Sequence, residues 1–260
     1  MPWTLSHPAA VLPFRRFCWH HYLDFAALII GSMTPDVGYY IQRFDVASFA
    51  HTMPGSFVVC LPSGICLLLL FYLVRKPVCF ILPMPHREAL LPLCSTVPRL
   101  SLGSLWVIFL SLLLGAWSHI LWDSFTHQSG WFAQRVSWLH EPLLTVGSTP
   151  FRGYYLLQQF STLFGAVILL VTYLAWIRRH QLIRPVHLRA ERWRYGLWVV
   201  IIVVALLFAL PAAAHAAQTF EGYLAFRILI FSAGVYFLSI ALPLIIVASI
   251  IIYARCYEKT

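Results

Sequence analysis

Charged side chains are scarce in this sequence. Only 10% of its 260 residues are Asp, Glu, Lys or Arg, whereas 60% are hydrophobic. That composition excludes a soluble domain and indicates a polytopic membrane protein. The apolar runs also lack the alternation of apolar and polar residues that barrel strands show. Because a bilayer leaves backbone groups no water to bond with, the spanning parts are predicted to be helices.

Acidic residues are the scarcer of the two charge signs, with nine against eighteen basic residues and a net charge of +9. The basic residues lie in short loops beside apolar runs, which is where charge sets membrane topology. We therefore predict membrane lipids as partners, and no nucleic acid.

Two further features are missing. The six cysteines include no CxxC pair, so no disulfide framework is predicted. The first residues lack the basic start and uninterrupted apolar stretch of a cleavable signal peptide, so we expect them to stay on the mature protein.

Long apolar runs, by contrast, are abundant. Five are near or above the roughly 20 residues of a tilted spanning helix: 56–74, 102–122, 155–177, 196–214 and 228–253. A sixth, 22–40, is interrupted at Gly31, Pro35 and Asp36 and reads either as a span or as a re-entrant segment. The predicted fold is an all-α, polytopic helical bundle with five or six spans or re-entrant segments. We expect one membrane domain, 1–260, with a metal-site half at 1–153 and C-terminal transmembrane helices at 154–260.

The loop charges predict the orientation. The loop that contains Arg178, Arg179, Arg184, Arg189, Arg192 and Arg194, with only Glu191 against them, should be cytoplasmic. Alternation then puts the loop from Arg75 to Arg99 inside and the segments 36–51 and 123–152 outside. We therefore expect a bacterial cytoplasmic (inner) membrane protein whose polar residues gather at the extracytoplasmic face.

Three metal-competent side chains follow the second long run: His119, Asp123 and His127. Residues four apart on a helix have Cβ atoms about 5–6 Å apart, so His119 and Asp123 can share one cation. On a continuous helix His127 would lie about 12 Å from His119, so either the helix breaks or two ions bind. The alternative is an interfacial polar cap beside an aromatic belt.

Other candidate ligands come from distant positions. Asp36 follows Pro35 on a predicted turn, and His51 precedes the next span. His7 can join them only if the segment 22–40 is re-entrant, because Arg15 and Arg16 otherwise draw the N-terminal region to the cytoplasm. We favour the re-entrant arrangement.

These residues carry a resemblance. The motifs Thr4-x-Ser6-His7, Gly31-Ser32-x-x-Pro35-Asp36, His51-Thr52 and His119-x-x-x-Asp123-x-x-Thr126-His127 resemble a bacterial membrane family catalogued as domain of unknown function 4184. More distantly, their order is similar to that of inner-membrane metal-dependent hydrolases and of zinc-dependent phospholipase C. That likeness implies a helical metal site with the ligands His7, Asp36, His51, His119, Asp123 and His127. The later His-x-x-x-Glu pair of the phospholipase pattern is absent, since His140 and Glu141 are adjacent.

The predicted function is a membrane-embedded, metal-dependent hydrolase of phosphoester or lipid head-group bonds. Zinc is the expected cofactor, with manganese or iron as alternatives, because imidazole and carboxylate suit all three. Asp36 and Asp123 are the predicted catalytic residues, which would bridge ions or orient the attacking water. Two other readings stay open: a transporter or ion-handling protein that uses the same His/Asp cluster, and a non-enzymatic structural membrane protein.

Overall fold

The structure, a computed structural model, describes residues 3–18, 22–95, 101–146, 149–180 and 188–257. Short helices precede the first long one. In chain order these elements are a 3-10 helix (Thr4–Phe14), α1 (Arg15–Cys18), α2 (Phe25–Gly31), a 3-10 turn (Thr34–Asp36), α3 (Val37–Tyr40), α4 (Phe44–Ala50), α5 (Met53–Gly55), a π-helical stretch (Ser56–Cys60), α6 (Leu61–Ile81), α7 (His86–Leu90) and a 3-10 helix (Leu91–Ser95).

The rest of the described chain is dominated by long helices. A β-hairpin, in which the two strands pair antiparallel, precedes the third of the long helices. The elements are α8 (Leu102–Thr126), α9 (Trp131–Arg135), α10 (Ser137–His140), β1 (Pro142–Val146), β2 (Thr149–Arg152), α11 (Gly153–His180), α12 (Leu188–Ala217) and α13 (Gly222–Tyr257).

Within the described residues, five helical stretches are long and apolar enough to cross a membrane: 53–81, 102–135, 153–180, 191–217 and 222–256. They have 27 to 35 residues each, an 18-residue window of each has a mean hydropathy of 1.8 to 2.8, and a span needs roughly 20 residues. The prediction of an all-α, polytopic membrane bundle is therefore confirmed. Two of the basic residues used for orientation, Arg99 and Arg184, lie outside the described residues.

The interrupted stretch 22–40 folds as short helices. The longest, α2, has seven residues, which is far below the length of a span. Asp24 caps it by accepting a hydrogen bond from the backbone N–H of Ala27. The chain then passes through the 3-10 turn that contains Asp36.

The chain forms two compact units. The first comprises the described residues within 1–38, 43–69 and 99–176, and it contains every candidate ligand. The second comprises those within 39–42, 70–98 and 177–260, and its core includes Ile201, Ala205 and Ala241. Within the second unit, the buried carboxylate of Glu191 accepts hydrogen bonds from Arg194 and from the backbone N–H of Met84.

Two glycines bring α2 against α8 in the first unit. A Cβ on Gly31 would overlap the backbone carbonyl of Leu112, and a Cβ on Gly115 would lie 2.7 Å from the backbone nitrogen of Ser32. Small residues at such a crossing let two backbones approach closely, as they do between membrane helices. This contact holds the residues after α2 beside the C-terminal half of α8.

Candidate metal centre

The structure brings the six side chains that the sequence singled out into one cluster in the first unit. The 3-10 helix 4–14, the 3-10 turn 34–36, the end of α4 and the end of α8 all contribute. Each side chain has a nitrogen or oxygen atom within 3.3–3.6 Å of another member of the cluster. The members are His7, Asp36, His51, His119, Asp123 and His127.

Helix α8 supplies the centre of the cluster. His119 and Asp123 are one turn apart and buried, and Nε2 of His119 lies 3.3 Å from Oδ2 of Asp123. The helix ends at Thr126, and His127 is extended at φ −117° and ψ 144°. Its imidazole folds back over the last turn, so that Nδ1 lies 3.5 Å from Oδ2 of Asp123 and 3.1 Å from the Asp123 carbonyl oxygen. The break in the helix thus keeps His127 beside Asp123.

Asp36 is fully buried in the 3-10 turn that follows α2. Its Oδ1 faces two imidazoles, at 3.5 Å from Nε2 of His51 and 3.6 Å from Nε2 of His119. Its Oδ2 accepts a hydrogen bond from the hydroxyl of Thr4. One carboxylate oxygen is therefore held by the protein while the other points into the cluster.

His7 reaches the cluster from the N-terminal 3-10 helix. Its ring stacks on that of His119, with centroids 3.5 Å apart and planes inclined by 12°. Its Nε2 lies 3.5 Å from Oδ1 of Asp123, on the opposite carboxylate oxygen from the one that His119 and His51 face. Asp123 therefore has imidazoles at both of its oxygens.

Backbone carbonyls determine the tautomers of two histidines. Nδ1 of His119 lies 2.7 Å from the carbonyl oxygen of Ser32, and Nδ1 of His51 lies 2.8 Å from that of Ala47. A carbonyl oxygen can only accept, so each Nδ1 must carry the proton and donate it. In the neutral ring, Nε2 then presents a lone pair toward the carboxylates. Metal-binding histidines are oriented in this way by their outer partners.

The inward atoms have the spacing of ligands around one ion. Nε2 of His51 and of His119 each lie 3.3–3.6 Å from Oδ1 of Asp36 and from Oδ2 of Asp123. Ligand atoms about 2.0–2.2 Å from a tetrahedral zinc are separated by about 3.3–3.6 Å from one another. Among the described residues, Nε2 of His119, Oδ1 of Asp36 and Oδ2 of Asp123 are buried and have no hydrogen-bond partner. Such atoms are costly to bury unless a cation or a proton joins them.

In the part of the chain that the structure describes, two groups of three could hold a divalent ion: His7 with His119 and Asp123, and Asp36 with His51 and His119. The ligand atoms of each group lie within 4.8 Å of one another. Because one imidazole nitrogen binds one ion, His119 can serve only one group at a time. His127 belongs to neither group, and its Nδ1 contacts the backbone carbonyl oxygen of Asp123.

Burial favours the neutral forms of His7 and Asp36, which both lie in short 3-10 segments. It lowers the pKa of His7 well below its ordinary value, and the nearby imidazole of His119 lowers that pKa further. Burial raises the pKa of Asp36, and His119 opposes this rise. A neutral imidazole is already the metal-binding form, whereas ionised Asp36 requires a positive charge beside it.

Sequence reasoning gave Thr4, Ser32 and Ala47 no role, although the first two lie within the motifs quoted above. Their signal is weak because two of them act through backbone carbonyls, which every residue has. Glu141 is exposed and lies directly before the hairpin. Ser161, on α11, lines a cavity next to His7.

The comparison with protein families identifies the chain. The family model described as "Domain of unknown function (DUF4184)" matches residues 1–250, so the chain belongs to that family. No match was found among curated proteins or among solved structures.

Proposed function

We propose that this DUF4184 member is a membrane-embedded, metal-dependent hydrolase that cleaves phosphoester bonds in lipid head groups. In this proposal the centre holds zinc, with manganese or iron as alternatives, and faces the extracytoplasmic side of a bacterial inner membrane. The observation that carries the proposal is the set of inward nitrogen and oxygen atoms of His51, His119, Asp36 and Asp123, at 3.3–3.6 Å spacings.

The arrangement of the ligands suits one ion with room for a reactant. Asp36, His51 and His119 provide three ligands, Asp123 lies close enough to be a fourth, and zinc in catalytic sites can expand to five ligands to take a reactant. Oδ2 of Asp123 faces this group, and Oδ1 of the same carboxylate faces His7. Asp123 could therefore bridge to a second ion. Two ions about 3.5–4 Å apart form the usual clamp of phosphoester hydrolases.

Hydrolysis itself is balanced simply. Water adds to phosphorus, one P–O ester bond breaks, and the products are an alcohol and a phosphate with one fewer ester bond. A divalent cation supplies Lewis acidity toward the phosphoryl oxygens and makes water a stronger acid. His127, whose side chain is 26% exposed, lies at the edge of the cluster and can exchange a proton with solvent.

Lipid is the proposed substrate class because of where the centre lies on its helix. Asp123 is within one turn of the end of α8, after some twenty residues of a membrane-length helix. Trp122, Trp131 and Trp138 near this end are all substantially exposed. Aromatic residues of this kind collect at head-group depth, where a phosphoester can reach the centre without leaving the bilayer.

Metal analysis tests the proposal. Detergent-purified protein should contain about one or two equivalents of a transition metal, and Asp36→Asn or His119→Ala should retain less than about a tenth. Asp45→Asn is the matched control, because Asp45 is an exposed carboxylate of the same unit that pairs with Arg43. The metal-loaded protein should then release phosphate or a phosphorylated head group from phosphatidic acid or phosphatidylglycerol in mixed micelles.

The outcomes separate the competing functions. Bound metal without turnover on any phosphoester would favour ion handling by the same cluster. Absence of metal from the wild-type protein would refute the hydrolase proposal, and a lower thermal stability of Asp36→Asn and His119→Ala in that case would indicate a structural role for the polar cluster.

A further inference from the structure

An apolar cavity of about 150 Å³ adjoins the metal centre. One wall is the N-terminal 3-10 helix around His7, another is Trp122 of α8, and the third is the face of α11 that carries Phe164 and Ile168. His7 belongs to both sites, since it lines the cavity and also lies 3.5 Å from Oδ1 of Asp123. The cavity therefore directly borders one of the candidate ligands.

The size and lining of the cavity suit a hydrocarbon. Phe164, Ile168, Trp122 and two alanines dominate the walls, while Ser6, Ser161 and His7 are the polar residues. An engineered apolar cavity of about this volume stays dry and binds benzene. This cavity can therefore hold a segment of alkyl chain similar in volume to benzene. Water would find few partners along most of its surface.

Two residues that line the cavity are exposed on helices of membrane-spanning length. Trp122 is 39% exposed and Phe164 is 52% exposed, although both line the cavity. They belong to α8 and α11, and both helices are long and apolar enough to span a membrane. A chain lying in the bilayer could thus enter sideways, without crossing water.

Direct contacts connect the cavity wall on α11 to the 3-10 helix that carries His7. Ser6 donates a hydrogen bond of 2.8 Å to the carbonyl oxygen of Thr162 on α11. A Cβ on Gly165 would lie 2.8 Å from the carbonyl oxygen of Ser6, so α11 and the 3-10 helix are in close backbone contact there. Because His7 directly follows Ser6, the spacing between cavity and cluster is set by these contacts.

We propose that this cavity binds a hydrocarbon chain of the lipid whose head group reaches the metal centre. The identity of that lipid as a substrate rests on the proposed function, but the binding of the chain does not. The cavity would thereby select amphiphiles over water-soluble phosphoesters, because a soluble ester leaves the apolar walls unfilled.

Photolabelling in nanodiscs tests the proposal. The probe is phosphatidylglycerol with a diazirine on one acyl chain, titrated into phosphatidylcholine nanodiscs that contain the full-length protein. We expect labels on the 3-10 helix around Ala10, on Trp122 and on Phe164, saturating at about one probe per protein as one-site binding requires. Annular contact with lipid would instead increase in proportion to the mole fraction of probe.

Variants that fill the cavity provide a second test. Ile168→Phe places a larger side chain in the cavity, and Ala10→Leu does so from the opposite wall, in case one of them folds poorly. Val167→Phe is the matched control, because Val167 is 47% exposed, precedes Ile168 on α11 and does not line the cavity. Saturable labelling should disappear in the first two variants and persist in the third, with metal content equal in all of them.

The results distinguish this inference from the proposed function. Saturable labelling of a protein that lacks metal would support the chain site while refuting the hydrolase. Metal-dependent hydrolysis with only proportional labelling, unchanged by Ile168→Phe and Ala10→Leu, would refute the chain site alone. Equal hydrolysis rates for short-chain and long-chain esters would count against it as well.

Discussion

A single added methyl group on α8 should weaken metal binding without touching a ligand. In Gly115→Ala the new Cβ would lie 2.7 Å from the backbone nitrogen of Ser32, and it would also overlap the Leu28 carbonyl. Ordinary contact begins at 3.4 Å, so α2 and α8 must separate by about 0.7 Å at least, since backbone atoms in a packed interior have nowhere else to go.

That displacement moves Ser32, whose carbonyl oxygen is the hydrogen-bond partner of the ligand His119. Ser32 accepts the hydrogen bond from Nδ1 of His119 at 2.7 Å, and a shift of about 0.7 Å would stretch it past the range of a good hydrogen bond. Loss of such a partner costs about 10–100-fold in metal affinity. The same movement also displaces Asp36, four residues beyond Ser32, whereas a site tolerates ligand errors of only about 0.2 Å.

The assay is competition for zinc with a chromophoric chelator. Gly103→Ala is the matched control on the same helix, because its Cβ would meet nothing closer than Ser101 Oγ at 3.8 Å. This control should bind zinc like the wild type and be equally or more stable, since alanine favours helix over glycine by about 0.5–1 kcal/mol. An unchanged zinc Kd in Gly115→Ala, in protein that is still folded, would refute the link between helix packing and the centre.

Three further predictions follow from the cluster. Thr4→Val should lower zinc affinity about tenfold because it removes the donor to Asp36, while Thr4→Ser should restore it in the same chelator assay. His127→Ala should keep its metal, since that residue belongs to neither ligand group, yet reduce kcat by about 10²-fold or more if it moves a proton; equal kcat would exclude that role. Removal of metal by a chelator should lower Tm, and zinc at about 1,000 times its Kd should raise the free energy of unfolding by about 4 kcal/mol. Asp36→Asn should show no zinc-dependent shift of Tm.

The cluster also bears on why these residues are tolerated in an apolar protein. Ionisable side chains within membrane helices are rare and mark functional sites, because charge at that depth is costly. Here two buried carboxylates, Asp36 and Asp123, face the imidazole nitrogens of His51 and His119. One divalent cation could bind all of these nitrogen and oxygen atoms together. A proton on an imidazole would instead join only one nitrogen to one carboxylate oxygen. Metal content is therefore the measurement that discriminates most strongly between the readings.

Much of the fold could be predicted from the sequence because hydropathy is a local property. Five apolar runs became five membrane-length helices, and the segment 22–40, which Gly31, Pro35 and Asp36 interrupt, contains only short helices. The i, i+4 spacing likewise predicted that His119 and Asp123 would face one another. In each case the relevant contacts are made within a few residues along the chain, so the spacing in sequence carries the geometry.

Only the tertiary structure decided how the remote residues meet. Nothing in the local pattern shows that Gly31 and Gly115 allow α2 to touch α8, or that the 3-10 helix brings His7 onto the ring of His119. The end of α8 at Thr126 and the carbonyl partners of His51 and His119 are equally invisible in sequence. These features depend on close packing between segments far apart in the chain. Hydropathy and residue spacing therefore identified the helices and the pair of His119 and Asp123, while backbone approach at two glycines and the packing of the 3-10 helix brought remote ligands to the same centre.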